Sequence, residues 1–137
     1  MEFYEYNPDW IVPANRQSEI VNFVKSGLRD LSISRPKTTC DWGIDIETSP
    51  DHTVYVWLDA LTNYLSATVK DGREALYDAT LWPCDIHIIG KDILKFHAVY
   101  WPAFLMAADI PLPRKIIAHG WWTQNGHKIA KSTGKCI

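Results

Sequence analysis

The first residues that could do chemistry are Gly90, Lys91 and Asp92, which end and follow the apolar segment DIHIIG at residues 85–90. They stand where a predicted strand passes into a predicted helix, so backbone N–H groups and the positive end of the helix are available to anionic or polar ligand atoms. The Asp92 carboxylate can accept hydrogen bonds from ribose hydroxyls, as acidic residues do in dinucleotide-binding folds. The alternative is that Asp92 only caps the helix. We interpret this turn as a candidate docking point for a sugar or a phosphate.

A second candidate group is aromatic and lies on two neighbouring units of the chain. Ile93 and His97 are four residues apart and share a predicted helix face, with Trp101 one turn further on. Trp57 and Tyr64 belong to the preceding unit. The alternative for all of these side chains is a structural core, because buried histidines with satisfied hydrogen bonds and packed aromatic rings are common. The pattern fits the wall of a pocket as well as a core.

The third candidate is a short basic segment near the end of the chain. Lys128 and Lys131 are three residues apart, with Gly126, Ser132 and Gly134 around them. A solvated loop is the usual interpretation of such a cluster. The functional alternative is phosphate capture, because lysines on a flexible loop can close over a triphosphate and meet the negative charge that develops during nucleotidyl transfer.

An α/β sheet is predicted to position these groups. Spacing predicts a helix around residues 20–28, and β-branched or apolar runs predict strands at residues 53–59, 85–90 and 115–122, with helices between them and a kink at Pro102. Strand, helix, strand, helix, strand indicates βαβ units with a ligand site beyond the carboxyl ends of the strands. That edge carries residues 57–60, 90–92 and 119–122. Asn125 and Gly126 predict a hairpin turn ahead of the lysines.

Composition narrows the class of protein. A hydrophobic content of 47% supports a folded domain, and a net charge of −2 from 14 basic and 16 acidic residues gives no overall basic field for nucleic acid. Cys40, Cys84 and Cys136 are odd in number and contain no C-x-x-C pair, which argues against a disulfide framework and a zinc knuckle and favours a reducing compartment. No apolar run approaches the ~20 residues of a membrane span, and we expect no targeting segment and no metal site.

Three ordered strings resemble methionyl-tRNA synthetase: YVWLDALTNYL at 55–65, WPCDIHIIGKDILKFHAVYWPAFLMAA at 82–108 and HGWWTQNGHKIAKSTGK at 119–135, with DLSISRP and DWGI upstream. The resemblance covers most of the chain from about Ile11 onward. It implies the second half of a Rossmann-like class I synthetase domain, a parallel sheet with flanking helices. On this basis residues 1–50 are a helix plus short extended segments, residues 51–122 the βαβ core, and residues 123–137 the lysine-rich signature loop.

The resemblance also assigns site residues and cofactors. It implies that Lys128 and Lys131 are catalytic and that ATP, with Mg²⁺, binds to Gly90, Lys91, Asp92, His119, Gly120, Trp121, Trp122, Lys128, Lys131 and Ser132. It implies a methionine pocket made by Trp57, Ala60, Leu61, Tyr64, Ile93 and His97, with Arg35 at the amino-acid end and Tyr64 and His97 near the sulfur. Ile129 and Ala130 replace the family's Met and Ser in the lysine loop, and Lys135 replaces an asparagine, so the packing and closure of this loop are open questions.

The same resemblance indicates what to expect of the isolated chain. The family's His-Ile-Gly-His signature, its first nucleotide-binding half and its anticodon-binding domain have no counterpart in these residues. We therefore expect the intact enzyme to activate methionine and charge tRNA(Met), and this chain alone to be inactive. The alternatives are a synthetase for another apolar amino acid, and a non-catalytic binding module or half of a split enzyme that pairs with a separate N-terminal half. A mitochondrial matrix location is expected, with the cytoplasm as the alternative.

Overall fold

A computed structural model describes residues 1–69 and 75–129 of the chain. Helices are separated by short strands, and the last strands form a small hairpin. The elements in chain order are α1 (Glu2–Tyr6), β1 (Ile11–Val12), α2 (Ala14–Lys25), β2 (Ser34–Pro36), β3 (His52–Val54), α3 (Val56–Ser66), β4 (His87–Gly90), a helical run through a 3₁₀ turn (Lys91–Ile93), a π-helical segment (Phe96–Tyr100) and α4 (Trp101–Ala107), then β5 (Ile116–His119), β6 (Thr123–Gln124) and β7 (His127–Lys128).

A parallel sheet of three strands organises the fold, with β5 between β1 and β4. In register, Ile11 and His87 flank Ile116, and Gly90 lies opposite His119 at the carboxyl edge. Alternate residues point to opposite faces of a strand. One face of β4 and β5 is buried through residues such as Ile116, whose side chain lies in the core. The predicted α/β class with a parallel sheet is confirmed, and so are the strands that we placed at residues 85–90 and 115–122.

The prediction of a buried parallel strand at residues 53–59 is wrong. Only His52–Val54 is a strand, and it pairs antiparallel with Ser34–Pro36 in a separate two-stranded sheet. From Val56 onward the chain is helical, because the apolar residues Trp57, Leu61, Tyr64 and Leu65 recur at three- and four-residue spacing and pack as one stripe against a buried cluster. The β-branched residues at the start of this segment indicate a strand, and the helical period becomes visible only when the later residues are included.

The third strand of the parallel sheet is Ile11–Val12, which the sequence did not predict. It has two residues, too few for a period-two pattern, and its position is fixed by long-range bonds. The Ile116 N–H donates to the carbonyl of Trp10, and the side-chain oxygen of Gln17 accepts from the Ile11 N–H. Gln17 belongs to α2, which confirms the predicted helix, and Gly27, with φ +98°, follows shortly after that helix ends.

The helical run after β4 changes from π-helical to α-helical geometry at Trp101, next to Pro102, the residue at which the sequence predicts a kink. The five residues Phe96–Tyr100 form a π-helical turn, in which the Trp101 N–H donates to the carbonyl of Phe96. Pro102 has no N–H and cannot donate to the carbonyl of Ala98, its α-helical acceptor. Tyr4 of the short helix α1 donates its hydroxyl to that carbonyl instead. A buried side chain near the start of the chain thus satisfies the backbone group that the proline leaves open.

Two buried clusters hold these elements together. The first joins α1, α2 and the parallel sheet, and it includes Tyr4, Trp10, Ile20 and Ile116. The second lies between α3 and the helical run and is lined by Leu61, Leu65, Trp82, Trp101 and Leu105. Ile88 of β4 alternates with the buried His87 and Ile89 and is 71% exposed. None of the helices described is long and apolar enough to cross a membrane.

Candidate nucleotide and amino-acid site

The turn after β4 and the lysine hairpin after β5 meet at Asp92. The indole N–H of Trp121 donates to Oδ2 of Asp92 across 2.6 Å, and Nζ of Lys128 lies 3.5 Å from the same oxygen. Lys91 and Lys128 each place Nζ 4.1 Å from the centre of the Trp121 ring. Cations over an indole face are attracted by its negative π surface. The structure therefore brings together one carboxylate, two lysines and one tryptophan from the predicted nucleotide site.

The surroundings of Asp92 favour its ionised form. The hydrogen bond from Trp121 is the largest cause that lowers the pKa of this carboxyl, and the charges of Lys128 and Lys91 lower it further. An ionised carboxylate only accepts hydrogen bonds, so it suits ligand hydroxyls that donate them. The N-cap position of the 3₁₀ turn is occupied by Gly90, which has no side chain, and Asp92 lies inside the turn. Capping therefore does not account for this side chain, whose contacts are to Trp121 and Lys128.

A tight hairpin carries Lys128 to this position. Asn125 and Gly126 both have positive φ, 51° and 77°, as a two-residue hairpin turn with the twist of its strands requires. The Ile129 N–H donates to the carbonyl of Trp122 and so ties the end of the hairpin back to the edge of β5. The predicted turn is confirmed. The remaining predicted loop residues, Ala130, Lys131, Ser132, Gly134 and Lys135, lie outside the described residues.

A stack of aromatic rings joins α3 to the helical run. Trp57 stacks on Phe96 with 3.9 Å between ring centres and 12° between planes. The Tyr64 hydroxyl lies 2.8 Å from Nε2 of His97, and Trp57 meets the His97 ring edge-on. Three of the residues predicted for methionine are thus in one group. Phe96 was not predicted, because it immediately precedes His97 and adjacent residues of a regular α-helix point in different directions.

The proton positions on the Tyr64 and His97 pair follow from their partners. Nδ1 of His97 lies 2.9 Å from the carbonyl of Ile93, which only accepts, so Nδ1 carries a proton. Burial is the largest effect on His97 and lowers its pKa, with the Ile93 bond opposing, so the ring is neutral at pH 7. Nε2 then accepts from the Tyr64 hydroxyl. Neither group keeps a spare donor, so in this arrangement they offer a thioether ring edges and no hydrogen bond.

A second buried histidine stands behind this pair. His87, on β4 and 5% exposed, has its ring centre 4.3 Å from that of Tyr64 and 6.0 Å from that of His97. Burial, reinforced by His97, lowers the pKa of His87 to about 4, so this ring is also neutral. Burial raises the pKa of the neighbouring Cys84 thiol. Sequence reasoning gave His87 no role, because the string HIIG at residues 87–90 resembles the family's His-Ile-Gly-His only superficially and lacks the second histidine.

The other predicted site residues are distributed around these two centres. Ile93 connects them, since it follows Asp92 and holds His97 through its carbonyl. Leu61 is buried in the core between α3 and α4, whereas Ala60 is exposed. Arg35, on β2, places its guanidinium 3.7 Å from the Tyr55 ring centre and contacts none of the stacked rings. His119, Gly120 and Trp122 lie at the carboxyl edge of β5, with the rings of His119 and Trp122 edge to face.

A large apolar cavity does not coincide with this site. It measures about 520 Å³ and lies against a different face of α3, lined by Leu58, Thr62, Leu65 and Leu105 among others. Among residues 1–69 and 75–129, no group of three His, Cys, Asp or Glu side chains could hold a metal ion. The candidate site is therefore an open edge with polar and aromatic groups.

Comparison with known proteins identifies the family. The sequence pattern described as tRNA synthetases class I (M) matches residues 1–137. The chain belongs to the methionyl-tRNA synthetase family. A methionine–tRNA ligase of Rickettsia conorii is 58% identical over 137 residues, which is all of this chain and 26% of that relative. A Rhizobium meliloti methionine–tRNA ligase is 53% identical over the same coverage. The chain thus spans about a quarter of the length of the relatives it matches.

Solved structures agree with the sequence match. A Mycobacterium tuberculosis methionyl-tRNA synthetase in complex with methionyl-adenylate superposes with a TM-score of 0.83 at 52% identity, over 98% of this chain and 26% of that one. The free form from the same organism gives 0.76 at 55% identity. The resemblance stated from the sequence is confirmed at family level. A synthetase family for another apolar amino acid is not supported.

Proposed function

We propose that this chain forms part of the catalytic region of a methionine–tRNA ligase. The reaction is the activation of methionine by ATP to methionyl-adenylate, followed by transfer to tRNA(Met). The observation that carries the proposal is the meeting of Asp92, Trp121 and Lys128 at the carboxyl edge of the sheet, which Ile93 connects to the aromatic group through its bond to His97. Family membership supports the reaction, and the methionyl-adenylate complex of the M. tuberculosis relative supports the two substrates.

The nucleotide half of the proposed site binds ATP and neutralises the charge on its leaving group. Asp92 accepts from the ribose, the adenine lies against residues 119–122, and Lys128 and Lys131 meet the charge on the departing pyrophosphate. Stabilising charge where it develops is the largest single contribution in many enzymes. The methionine carboxylate is already a nucleophile, so no general base is needed for the first step. The residues need only align the reactants and neutralise the leaving group.

Mg²⁺ belongs to the proposal as a companion of ATP. The described residues offer it no set of ligands, since Asp92 is the one carboxylate of the nucleotide site and no group of three possible ligands forms there. Mg²⁺ commonly keeps several waters and binds substrate phosphates rather than an all-protein cage. The ion therefore supplies charge to the phosphates, and this chain supplies the lysines beside them.

The amino-acid half recognises methionine through ring contacts. A thioether is polarizable and packs favourably against aromatic edges, which the group formed by Trp57, Tyr64, Phe96 and His97 offers. Ile93 links this pocket to the nucleotide turn through its bond to His97. Apolar fit alone discriminates by about 1–3 kcal/mol per methylene-sized difference, so the geometry of the ring contacts decides specificity.

A chimeric enzyme tests the function. This chain replaces the 137 aligned residues of the R. conorii relative, and methionine-dependent exchange of pyrophosphate into ATP is measured. We expect exchange in the chimera and its loss on Lys128→Ala, while Trp42→Phe, at a side chain 81% exposed and outside the site, retains it. A folded, soluble chimera without methionine-dependent exchange would contradict the proposal.

A second candidate is a binding module or half of a split synthetase. The observation in its favour is Ile88, an apolar residue of β4 whose face of the sheet is left open in this chain. Apolar sheet faces are normally covered in α/β domains. We expect no exchange from the chain alone. Mixing it with a separately produced N-terminal segment of the R. conorii relative distinguishes the candidates, because binding with exchange supports a split enzyme and binding without exchange supports a module.

The compartment is a proposal of the same kind. The amino-acid sequences of residues 61–66 and 91–108 predict the mitochondrial matrix, with the cytoplasm as the alternative. The relatives reported above are bacterial, which gives the mitochondrial location no support. Fluorescence imaging of the tagged protein in its own cells decides between the two.

A further inference from the structure

Trp121 touches both parts of the proposed nucleotide site, the turn after β4 and the hairpin after β5. Its indole N–H donates a hydrogen bond to Oδ2 of Asp92, and Nζ of Lys128 lies 4.1 Å from the centre of its ring. Lys91, next to Asp92, contacts the same ring at the same distance. The ring therefore lies between the turn after β4 and the hairpin after β5. The ring is thus in contact with both ammonium groups.

The contacts of Asp92 are unequal. Oδ2 accepts from Trp121 and faces Lys128, whereas within residues 1–69 and 75–129 no donor reaches Oδ1. A carboxylate with one oxygen fixed keeps a single orientation and presents the other oxygen to a ligand. Fixing a group in its binding orientation before the ligand arrives removes an ordering cost from binding.

We propose that Trp121 is a positioning residue for the ribose. It fixes Oδ2 of Asp92 and holds Lys128 over its ring, so that Oδ1 is left to accept a ribose hydroxyl while the lysine stays near the phosphates. This rests on the function proposed above and adds a role to it. Trp121 acts through Asp92 and Lys128. The group that it needs in order to fix Asp92 is its indole N–H.

The first test is spectroscopic and uses the chain itself. Trp121→Phe assigns one indole N–H signal in a ¹H–¹⁵N spectrum by removing it. Asp92→Asn then replaces the charged acceptor by a neutral one, and we expect it to move that signal and no other indole signal. Asp41→Asn, at a carboxylate with no described partner, is the matched control and leaves the signal in place. An unmoved Trp121 signal in Asp92→Asn would overturn the proposed contact.

The second test is kinetic and uses the chimeric enzyme. Trp121→Phe keeps a ring for the lysines and removes the donor, so we expect KM for ATP to rise roughly tenfold, as for loss of a charge-assisted hydrogen bond, with kcat within about twofold. With 2′,3′-dideoxy-ATP, which lacks the hydroxyls, the same substitution should change KM by less than about twofold. Trp42→Phe is the control for both nucleotides.

The outcomes separate the two proposals. Equal losses with ATP and the dideoxy nucleotide would mean that Trp121 only supports the fold, and would overturn the inference. In an Asp92→Asn background, Trp121→Phe should cause little further loss in KM, and an undiminished loss would count against action through Asp92. If the unsubstituted chimera does not use ATP, the proposed function fails, while the spectroscopic comparison still decides whether Trp121 positions Asp92.

Discussion

The hydrogen bond between Tyr4 and Ala98 yields a quantitative prediction about stability. Pro102 cannot donate to the Ala98 carbonyl, and the Tyr4 hydroxyl does so from a buried position. Burial also raises the pKa of Tyr4 to about 12, so the hydroxyl keeps its proton over the whole working range of pH. Tyr4→Phe keeps the ring and its packing, and removes only the donor. The buried carbonyl then has neither the proline nor the tyrosine as a partner.

The expected magnitude follows from that geometry. Leaving a buried acceptor unsatisfied costs about 1–3 kcal/mol. Tyr6→Phe, on the same short helix but 78% exposed, is the matched control and should cost close to nothing. Pro102→Ala restores an N–H that can donate to Ala98, so in that background Tyr4→Phe should cost less than about 0.5 kcal/mol. The difference between the two backgrounds is the coupling energy of a double-mutant cycle.

Urea denaturation of the chain, followed by tryptophan fluorescence, measures these differences. With a slope of about 2 kcal/mol per molar urea, Tyr4→Phe should lower the midpoint by roughly 1 M. The reasoning would be refuted by equal midpoints for Tyr4→Phe and Tyr6→Phe. It would also be refuted by an undiminished cost of Tyr4→Phe in the Pro102→Ala background, because the proline would then not be the reason that the carbonyl needs the tyrosine.

Three further predictions concern the site and its support. Tyr64→Phe leaves Nε2 of His97 without its donor, so KM for methionine in the chimera should rise roughly tenfold in pyrophosphate exchange, and an unchanged KM would contradict the assigned pair. Because burial lowers the pKa of His87 from 6.5 to about 4, the unfolded chain takes up a proton first as pH falls. The chain should therefore lose about 3 kcal/mol of stability between pH 6.5 and pH 4, a loss that His87→Gln removes in urea titrations at both pH values. Gly43→Ala would place Cβ 2.8 Å from that of Thr53, so its melting temperature should fall by several degrees, whereas Gly120→Ala, with open space around it, should melt like the parent.

The elements that could be predicted from the sequence are those whose formation depends on local patterns of residues. The strand before Gly90, the strand before Gly120 and the Asn125–Gly126 turn are continuous in sequence, and each carries its own signal in side-chain type or backbone requirement. The placement of Asp92 and Lys128 at one edge follows from the rule that carboxyl ends of parallel strands meet. This part of the candidate site needed no long-range information beyond the order of the elements.

Three of the misses depend on distant partners. Ile11–Val12 is a strand only because β5 offers it a free edge. His52–Val54 is not in the parallel sheet and pairs antiparallel with Ser34–Pro36, a segment about twenty residues earlier in the chain. His87 looked like an ordinary strand residue, and its position behind Tyr64 depends on how α3 packs against β4. In each case the deciding contact joins residues that no periodicity within one segment relates.

The helical run from Lys91 to Ala107 links the two halves of the proposed site. In a regular α-helix adjacent residues point about 100° apart, so Phe96 and His97 would diverge. Both nevertheless meet α3, through Trp57 and Tyr64, and both lie in the π-helical turn. Wider turns of this kind are found where a helix must present side chains for function. The proline that ends the turn leaves a carbonyl open, and Tyr4 occupies it from the far side of the core. We therefore expect the geometry of the proposed methionine pocket to depend on a hydrogen bond to the first helix of the chain, and not only on the residues that line it.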